Sequence, residues 1–250
     1  MQSPIDREVQ KHGDESIQRE LFGTRVGFIL AAVGSAVGLG NMWRFPYRVS
    51  EGGGAAFVVL YIALTLIMGI PLMLAEFSVG RRTRLSPVGA FKKEGGGGWS
   101  IVGFLGVLTG FLILSYYSVI AGWVVRYGIE GILTGFATDP AAYFGEVTTG
   151  IAPIVYHLAF MLVTVTIVSV GVQKGIEKAS LILMPVLFTI VLGLAVWAFT
   201  LPGSGAGYSF YLAPSFSELL NFTTLAEAAG QAFFSLSLGM GAMLTFASYL

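Results

Sequence analysis

Gly34-Ser35-Ala36-Val37-Gly38-Leu39-Gly40-Asn41 puts three glycines and an asparagine in the middle of an apolar stretch. These are poor helix formers. A helix interrupted there exposes carbonyls at the end of one half and N–H groups at the start of the other. The carbonyl end suits a cation and the N–H end an anion. In lipid such a break is tolerated only where it lines a protein cavity. Gly34-x-x-x-Gly38 also fits close packing of helices through small residues, so this run alone leaves both readings open. Ser235-Leu236-Ser237-Leu238-Gly239-Met240-Gly241 repeats the pattern far along the chain. Paired interruptions in distant hydrophobic segments are the best sequence pointer to a solute site inside a membrane, with packing as the alternative.

Other residues could act beside these breaks. Glu76 follows Ile70-Pro71-Leu72-Met73-Leu74-Ala75, deep in an apolar segment. An unpaired carboxylate there costs several kcal/mol. Capping the free N–H groups of a broken helix removes that cost; a proton relay is the sharper alternative. Tyr116 and Tyr117 also lie within an apolar segment, where a hydroxyl needs a partner. That partner is either a core group or a substrate carboxylate. Arg44 ends the first apolar stretch and either snorkels or pairs across the mouth of a pathway. Gly175 and Pro185 bracket the start of the fifth stretch. They give a fixed kink or an end able to unwind and admit water.

The elements that must position these groups are membrane helices. The 250 residues are 55% hydrophobic and 11% charged, against about a quarter charged in a soluble domain. A bilayer span needs roughly 20 apolar residues. Five stretches qualify, near Val26–Pro46, Ala55–Gly80, Ile101–Gly128, Pro153–Val172 and Leu181–Leu201. A sixth runs from Leu225 to Leu250, and the reading expects the chain to stop inside it. Residues 1–24 form a polar N-terminal segment and 25–250 a membrane domain. Lys and Arg alternate by loop. Arg7, Lys11, Arg19 and Arg25 precede the first span. Arg81, Arg82, Arg84, Lys92 and Lys93 follow the second, and Lys174 and Lys178 follow the fourth. The third and fifth loops have neither, but carry Asp139, Glu146 and Glu218. The positive-inside rule then puts the N-terminus in the cytoplasm.

Several classes are set aside. Zero net charge gives no field for nucleic acid, no cysteine means no disulfide or thiolate site, and two distant histidines make no metal cluster. No signal peptide is visible. The glycine run 95–98 lacks the Gly-Lys-Ser/Thr ending of a phosphate loop and reads as a flexible connector. A membrane enzyme would need a nucleophile–base pair or clustered acids, and a channel a charge ring or carbonyl filter.

From about Arg19 to Leu250 the chain resembles the neurotransmitter:sodium symporter family, which has the LeuT-type fold. The motifs are Gly-Ser-Ala-Val-Gly-Leu-Gly-Asn-Met-Trp-Arg-Phe-Pro at 34–46, Gly-Ile-Pro-Leu at 69–72 and Ser-Tyr-Tyr at 115–117. They continue with Gly-x9-Pro at 175–185 and Gln-Ala-Phe-Phe-Ser-Leu-Ser-Leu-Gly-Met-Gly at 231–241. The resemblance implies an all-α membrane protein holding the first of two inverted five-helix repeats plus an incomplete sixth helix. Helices one and six would be broken at mid-membrane.

It further implies sodium-coupled amino-acid symport by alternating access. One sodium would meet the Ala36 carbonyl, the Asn41 side chain and Ser235; a second would meet carbonyls of Gly34 and Val37. The substrate carboxylate would meet N–H groups of Leu39 and Gly40 and the Tyr117 hydroxyl. Its ammonium would meet carbonyls of Ala36, Phe234 and Ser237, and its side chain Ile113, Phe234 and Met240. Met240 stands where many relatives have Phe, and Met adapts to irregular shapes, so the expected substrate is bulky apolar or aromatic. Ser35 stands where several relatives have Asn, and Phe22 replaces a frequent Trp at the inner gate. Arg19 and Arg44 match the inner and outer gate arginines, whose acidic partners lie beyond this chain. Both sodium sites would be completed by a C-terminal half of the same polypeptide, which would also decide any chloride requirement. The expected location is a prokaryotic plasma membrane. The competing reading is a truncated scaffold or regulator that does not transport.

Overall fold

Caps and breaks decide where each apolar run becomes a helix. The computed structural model describes residues 20–135, 139–214 and 216–250; Arg19 lies outside the described residues. Thr24 starts α1 (Arg25–Ala36), its side-chain oxygen accepting from the Gly27 N–H, and Val37 ends it by turning extended (φ −103°, ψ 97°). Such an N-cap satisfies one of the free donors of the first turn. After the break, α2 (Gly40–Glu51) leaves at an angle of 45° to α1.

Two wide turns absorb prolines. α2 opens with a π-helical turn at Gly40–Arg44, two residues before Pro46. α3 (Ala55–Thr83) contains another at Thr65–Gly69, two residues before Pro71. A proline lacks its N–H and crowds the carbonyl four residues back. That carbonyl lies inside the π turn in both cases, where the ladder is already widened.

The chain continues through α4 (Pro87–Gly95), α5 (Ser100–Thr134), α6 (Pro140–Thr148), α7 (Ala152–Ser169) and α8 (Val172–Phe199). It ends with α9 (Ser204–Leu212), α10 (Phe216–Leu219), α11 (Phe222–Ser235) and α12 (Ala242–Ala247). Every regular element among the described residues is helical. By length and apolarity α3, α5, α7 and α8 can each cross a membrane, and the bent pair α1–α2 supplies a fifth span. The sixth apolar stretch of the sequence, called the last span below, is split into α11 and α12 by residues 236–241.

Several boundaries differ from the sequence expectation, three of them for a visible local reason. The fifth span begins at Val172 rather than Leu181, because the polar run through Glu177 forms a π-helical turn whose carboxylate is used by α1. The third reaches Thr134 rather than Gly128, because Arg126 and Glu130 satisfy each other at 2.7 Å one turn apart. The last begins at Phe222, where Asn221 accepts from the Thr223 N–H as a cap. Pro185 therefore lies well inside α8, while Gly175 lies in its opening turn. The glycine run is short and turned: Gly96, at φ +88°, ends α4, and Gly97–Trp99 form a single 3₁₀ turn.

α1 packs on α8, α5 on α7, and α3 along both α11 and α12. Close approach depends on missing side chains. A Cβ on Gly122 of α5 would lie 2.7 Å from the His157 backbone nitrogen of α7, and one on Gly80 would overlap the Leu244 carbonyl. Val49, Phe57 and Ala228 make a fully buried knot where α2, α3 and α11 meet, with Phe45 and Tyr61 edge-on at 4.9 Å beside it. Many large apolar side chains of α5, α7 and α8 are exposed, as faces turned to lipid or to further helices require.

Candidate functional site

The two breaks face each other. Residues 37–39 separate α1 from α2, and residues 236–241 separate α11 from α12. The second break is held in the left-handed region at Ser237 (φ +53°), Gly239 (φ +77°) and Gly241 (φ +72°). Glycine takes that conformation without strain, while serine does not. Ser237 is held there by α1: its hydroxyl donates to the Ser35 carbonyl at 3.0 Å, and the two hydroxyls lie 3.2 Å apart.

Between the breaks lies a cavity of about 180 Å³. Gly34, Ser35, Ala36, Gly40 and Asn41 line it from the first span, Ile113 and Tyr117 from α5, and Phe234, Ser235, Ser237 and Met240 from the last span. Gly38 lines it as well, while Val37 and Leu39 are not among the lining residues. The sequence thus brings together most of its singled-out residues from three distant segments.

The polar groups around the cavity are ordered by type. On one side the Gly40 N–H donates to the Tyr117 hydroxyl in a short hydrogen bond. Because that oxygen accepts from Gly40, its own proton is free to point at an anion. On another side, oxygens converge. Asn41 Nδ2 donates to the Ala36 carbonyl at 2.8 Å, the Ser235 hydroxyl donates to Asn41 Oδ1 at 2.8 Å, and Gln231 Nε2 donates to Ser235 Oγ at 3.1 Å. Oxygen-only ligands of this kind suit a hard cation. The Phe234 carbonyl accepts from the Ser237 N–H at 3.1 Å and keeps a second lone pair. Among the described residues no three His, Asp or Glu side chains gather as a metal site.

Surrounding residues fix this geometry. Glu76 of α3 accepts from the Gly239 N–H at 2.8 Å and the Leu244 N–H at 3.3 Å, capping the start of α12. The Arg44 guanidinium lies 5.1 Å from the Phe234 ring centroid, and Phe234 meets Tyr117 edge-on at 6.1 Å. This layer separates the cavity from a wider one of about 630 Å³ lined by Trp43, Tyr47, Arg48, Tyr116 and Ile120. At the opposite end Phe22 packs on Phe28 at 5.5 Å and on Phe246 at 6.3 Å, and its N–H donates to the Tyr249 carbonyl.

Sequence reasoning missed three features. Gln231, almost fully buried, extends the Asn41–Ser235 chain; a glutamine four residues before Ser235 is the only signal for it. Arg48 makes ion pairs on this side, to Glu227 at 3.0 Å and Glu51 at 3.3 Å. Glu20 and Glu177 bridge α1 and α8 at the other end.

Two broken helices crossing at an oxygen-lined cavity define the LeuT-type fold, and the comparisons agree. A family model described as the sodium:neurotransmitter symporter family matches residues 19–139 and 145–250, and the chain belongs to that family. An uncharacterized sodium-dependent transporter of Methanocaldococcus jannaschii is 42% identical over 247 residues, covering 94% of this chain and 50% of the relative. The uncharacterized sodium-dependent transporter YhdH of Bacillus subtilis is 40% identical over 235 residues, covering 92% of this chain and 52% of the relative. A crystal structure of MhsT in complex with L-phenylalanine superposes with a TM-score of 0.85 at 45% identity, covering 92% of this chain and 54% of MhsT. The chain spans about half the length of the curated relatives it matches.

Proposed function

We propose that this chain supplies the N-terminal half of a sodium-coupled amino-acid symporter, completed by a C-terminal segment and working by alternating access. The observation that carries the reading is the ordering of polar groups in the cavity. The Tyr117 hydroxyl and the N–H groups of Leu39 and Gly40 receive a carboxylate, the Gly40 N–H turning to it from the Tyr117 oxygen. The carbonyls of Ala36, Phe234 and Ser237 receive an ammonium. Ile113, Phe234 and Met240 receive an apolar or aromatic side chain, a choice supported by the phenylalanine bound to MhsT.

Sodium is the second substrate. The Asn41 amide bridges the other two ligands, its Nδ2 donating to the Ala36 carbonyl at 2.8 Å and its Oδ1 accepting from the Ser235 hydroxyl at 2.8 Å. A sodium ion would be met by the Ala36 carbonyl, Asn41 Oδ1 and Ser235 Oγ once the Asn41 amide turns its Nδ2 away from Ala36 and the Ser235 proton turns away from Oδ1, and it would sit beside the carboxylate position. Cation and anion then stabilise each other, which couples their binding. A second sodium draws on the carbonyls of Gly34 and Val37. Arg44 and Phe22 cover the two ends. Basic residues such as Arg81, Arg84 and Lys174 support an arrangement in the cell membrane with the N-terminus and the Phe22 end on the cytoplasmic side.

The test is sodium-dependent binding of L-phenylalanine by the complete polypeptide. Tyr117→Phe removes a charge-assisted hydrogen bond and weakens binding by roughly 10- to 100-fold. Asn41→Ala raises the sodium concentration needed for half-saturation. Unchanged binding and sodium dependence in both variants overturns the site assignment, and binding that ignores sodium overturns the reading.

A further inference from the structure

We propose that Glu20 and Glu177 form a reciprocal clasp, so that the first turns of α1 and α8 open together or not at all. Glu177 belongs to α8, and its carboxylate is almost fully buried. It accepts from the Gly23 N–H at 2.7 Å, the Thr24 N–H at 3.0 Å and the Thr24 hydroxyl at 2.6 Å, at the start of α1. Glu20 belongs to the segment leading into α1. It accepts from the Val172 N–H at 2.8 Å and the Gln173 N–H at 3.2 Å, at the start of α8. Each helix is thus capped by a carboxylate carried on the other's element, at the end where the macrodipole favours negative charge.

Both carboxylates sit close against glycines. Gly171 has φ +107°, a region reserved for glycine, and a Cβ there would overlap the Glu20 carboxylate. A Cβ on Gly27 would overlap Glu177.

The coupling follows from where each carboxylate sits. Glu177 closes the π-helical turn Val172–Glu177, whose first donors are held by Glu20. When Glu20 lets go, that turn loses its acceptors and frays, carrying Glu177 away from α1. When α1 withdraws, Glu177 is left as a buried carboxylate without donors, a costly state that opening to water relieves. The turn is free to open up to Pro185, which offers no N–H to the Leu181 carbonyl. This inference rests on the alternating-access reading for its purpose: one event would clear both walls of the inner pathway.

The chain has no cysteine, so single reporter cysteines are unique in this half. Ala31→Cys reports on α1 and Val172→Cys on α8; both positions are buried. N-ethylmaleimide labelling of the complete polypeptide is followed without sodium or amino acid. Glu20→Gln, which acts directly on α8, speeds labelling of Ala31→Cys on α1 by roughly tenfold, the scale of one lost charge-assisted hydrogen bond. Glu177→Gln, which acts directly on α1, speeds labelling of Val172→Cys. The double variant gains little over either single one. Acceleration confined to the helix each residue caps, or full additivity in the double variant, overturns the clasp. If a glutamine variant does not fold, Glu20→Asp must still produce a smaller acceleration at Ala31→Cys, and none there overturns it equally. Labelling that obeys this pattern but ignores added sodium and phenylalanine leaves the clasp standing and counts against the symport reading.

Discussion

The Ser237 hydroxyl donates to the Ser35 carbonyl across 202 positions of sequence, tying the break of the last span to the break of the first. Ser237 is almost fully buried and has φ +53°. Left-handed backbone costs a non-glycine residue roughly 1–2 kcal/mol, so this tie holds a strained residue in place. Two substitutions separate tie from strain. Ser237→Ala keeps the strain and leaves the Ser35 carbonyl unsatisfied, a loss of about 1–3 kcal/mol. Ser237→Gly loses the same hydroxyl but relaxes the backbone. Thermal unfolding in detergent should rank wild type above glycine and glycine above alanine. A glycine variant no more stable than alanine would show that the left-handed conformation carries no strain.

Glu76 offers a second test at the same break. Its two oxygens serve separate donors, the N–H groups of Gly239 and Leu244. Glu76→Gln keeps one acceptor oxygen and turns an amide group toward the other donor. Glu76→Ala abandons both. Alanine should therefore destabilise by about 1–3 kcal/mol, allowing for the half-buried position, and glutamine by less. The same denaturation measurement decides it. Equal losses would mean that the carboxylate acts by filling space rather than by capping.

The spans were legible because apolar runs of membrane length have few other uses, and the breaks because glycine and serine interrupt those runs at Gly34–Gly40 and Ser235–Gly241. What stayed hidden depends on partners remote in sequence. Lys174, Glu177 and Lys178 look like a loop, yet Glu177 serves Gly23 and Thr24, 154 and 153 positions away, and the helix extends to include it. Arg126 and Glu130 look like the end of a span until they are seen to pair with each other. Hydropathy records what a residue costs in lipid when alone and cannot record a partner that removes the cost. The register of a break is equally local: Val37 and Leu39 belong to the same motif as Ala36 and Gly40, but only the latter pair lines the cavity.

The Arg126 cluster gives a prediction in pH. The Arg126 Nε donates to Glu130 at 2.7 Å, and its Nη1 donates to the carbonyls of Glu146 at 3.1 Å and Val147 at 3.4 Å, so one buried guanidinium fastens α6 to α5. The Tyr143 hydroxyl of α6 donates to the other oxygen of Glu130. That hydrogen bond is the main reason the Tyr143 phenol is pushed up from 10.0 to about 12. The folded protein therefore holds this proton more tightly than the unfolded chain. Above pH 10 the unfolded chain binds fewer protons here, and stability falls as pH rises. The contribution is complete below about pH 10 and is lost by about pH 12. Tyr143→Phe should lack this component of the alkaline loss, and its phenolate absorbance should rise by one tyrosine less near pH 12. An unchanged pH profile of unfolding in Tyr143→Phe would mean that the phenol is not tied to Glu130 in the folded protein, and that Arg126 alone holds α6 in place.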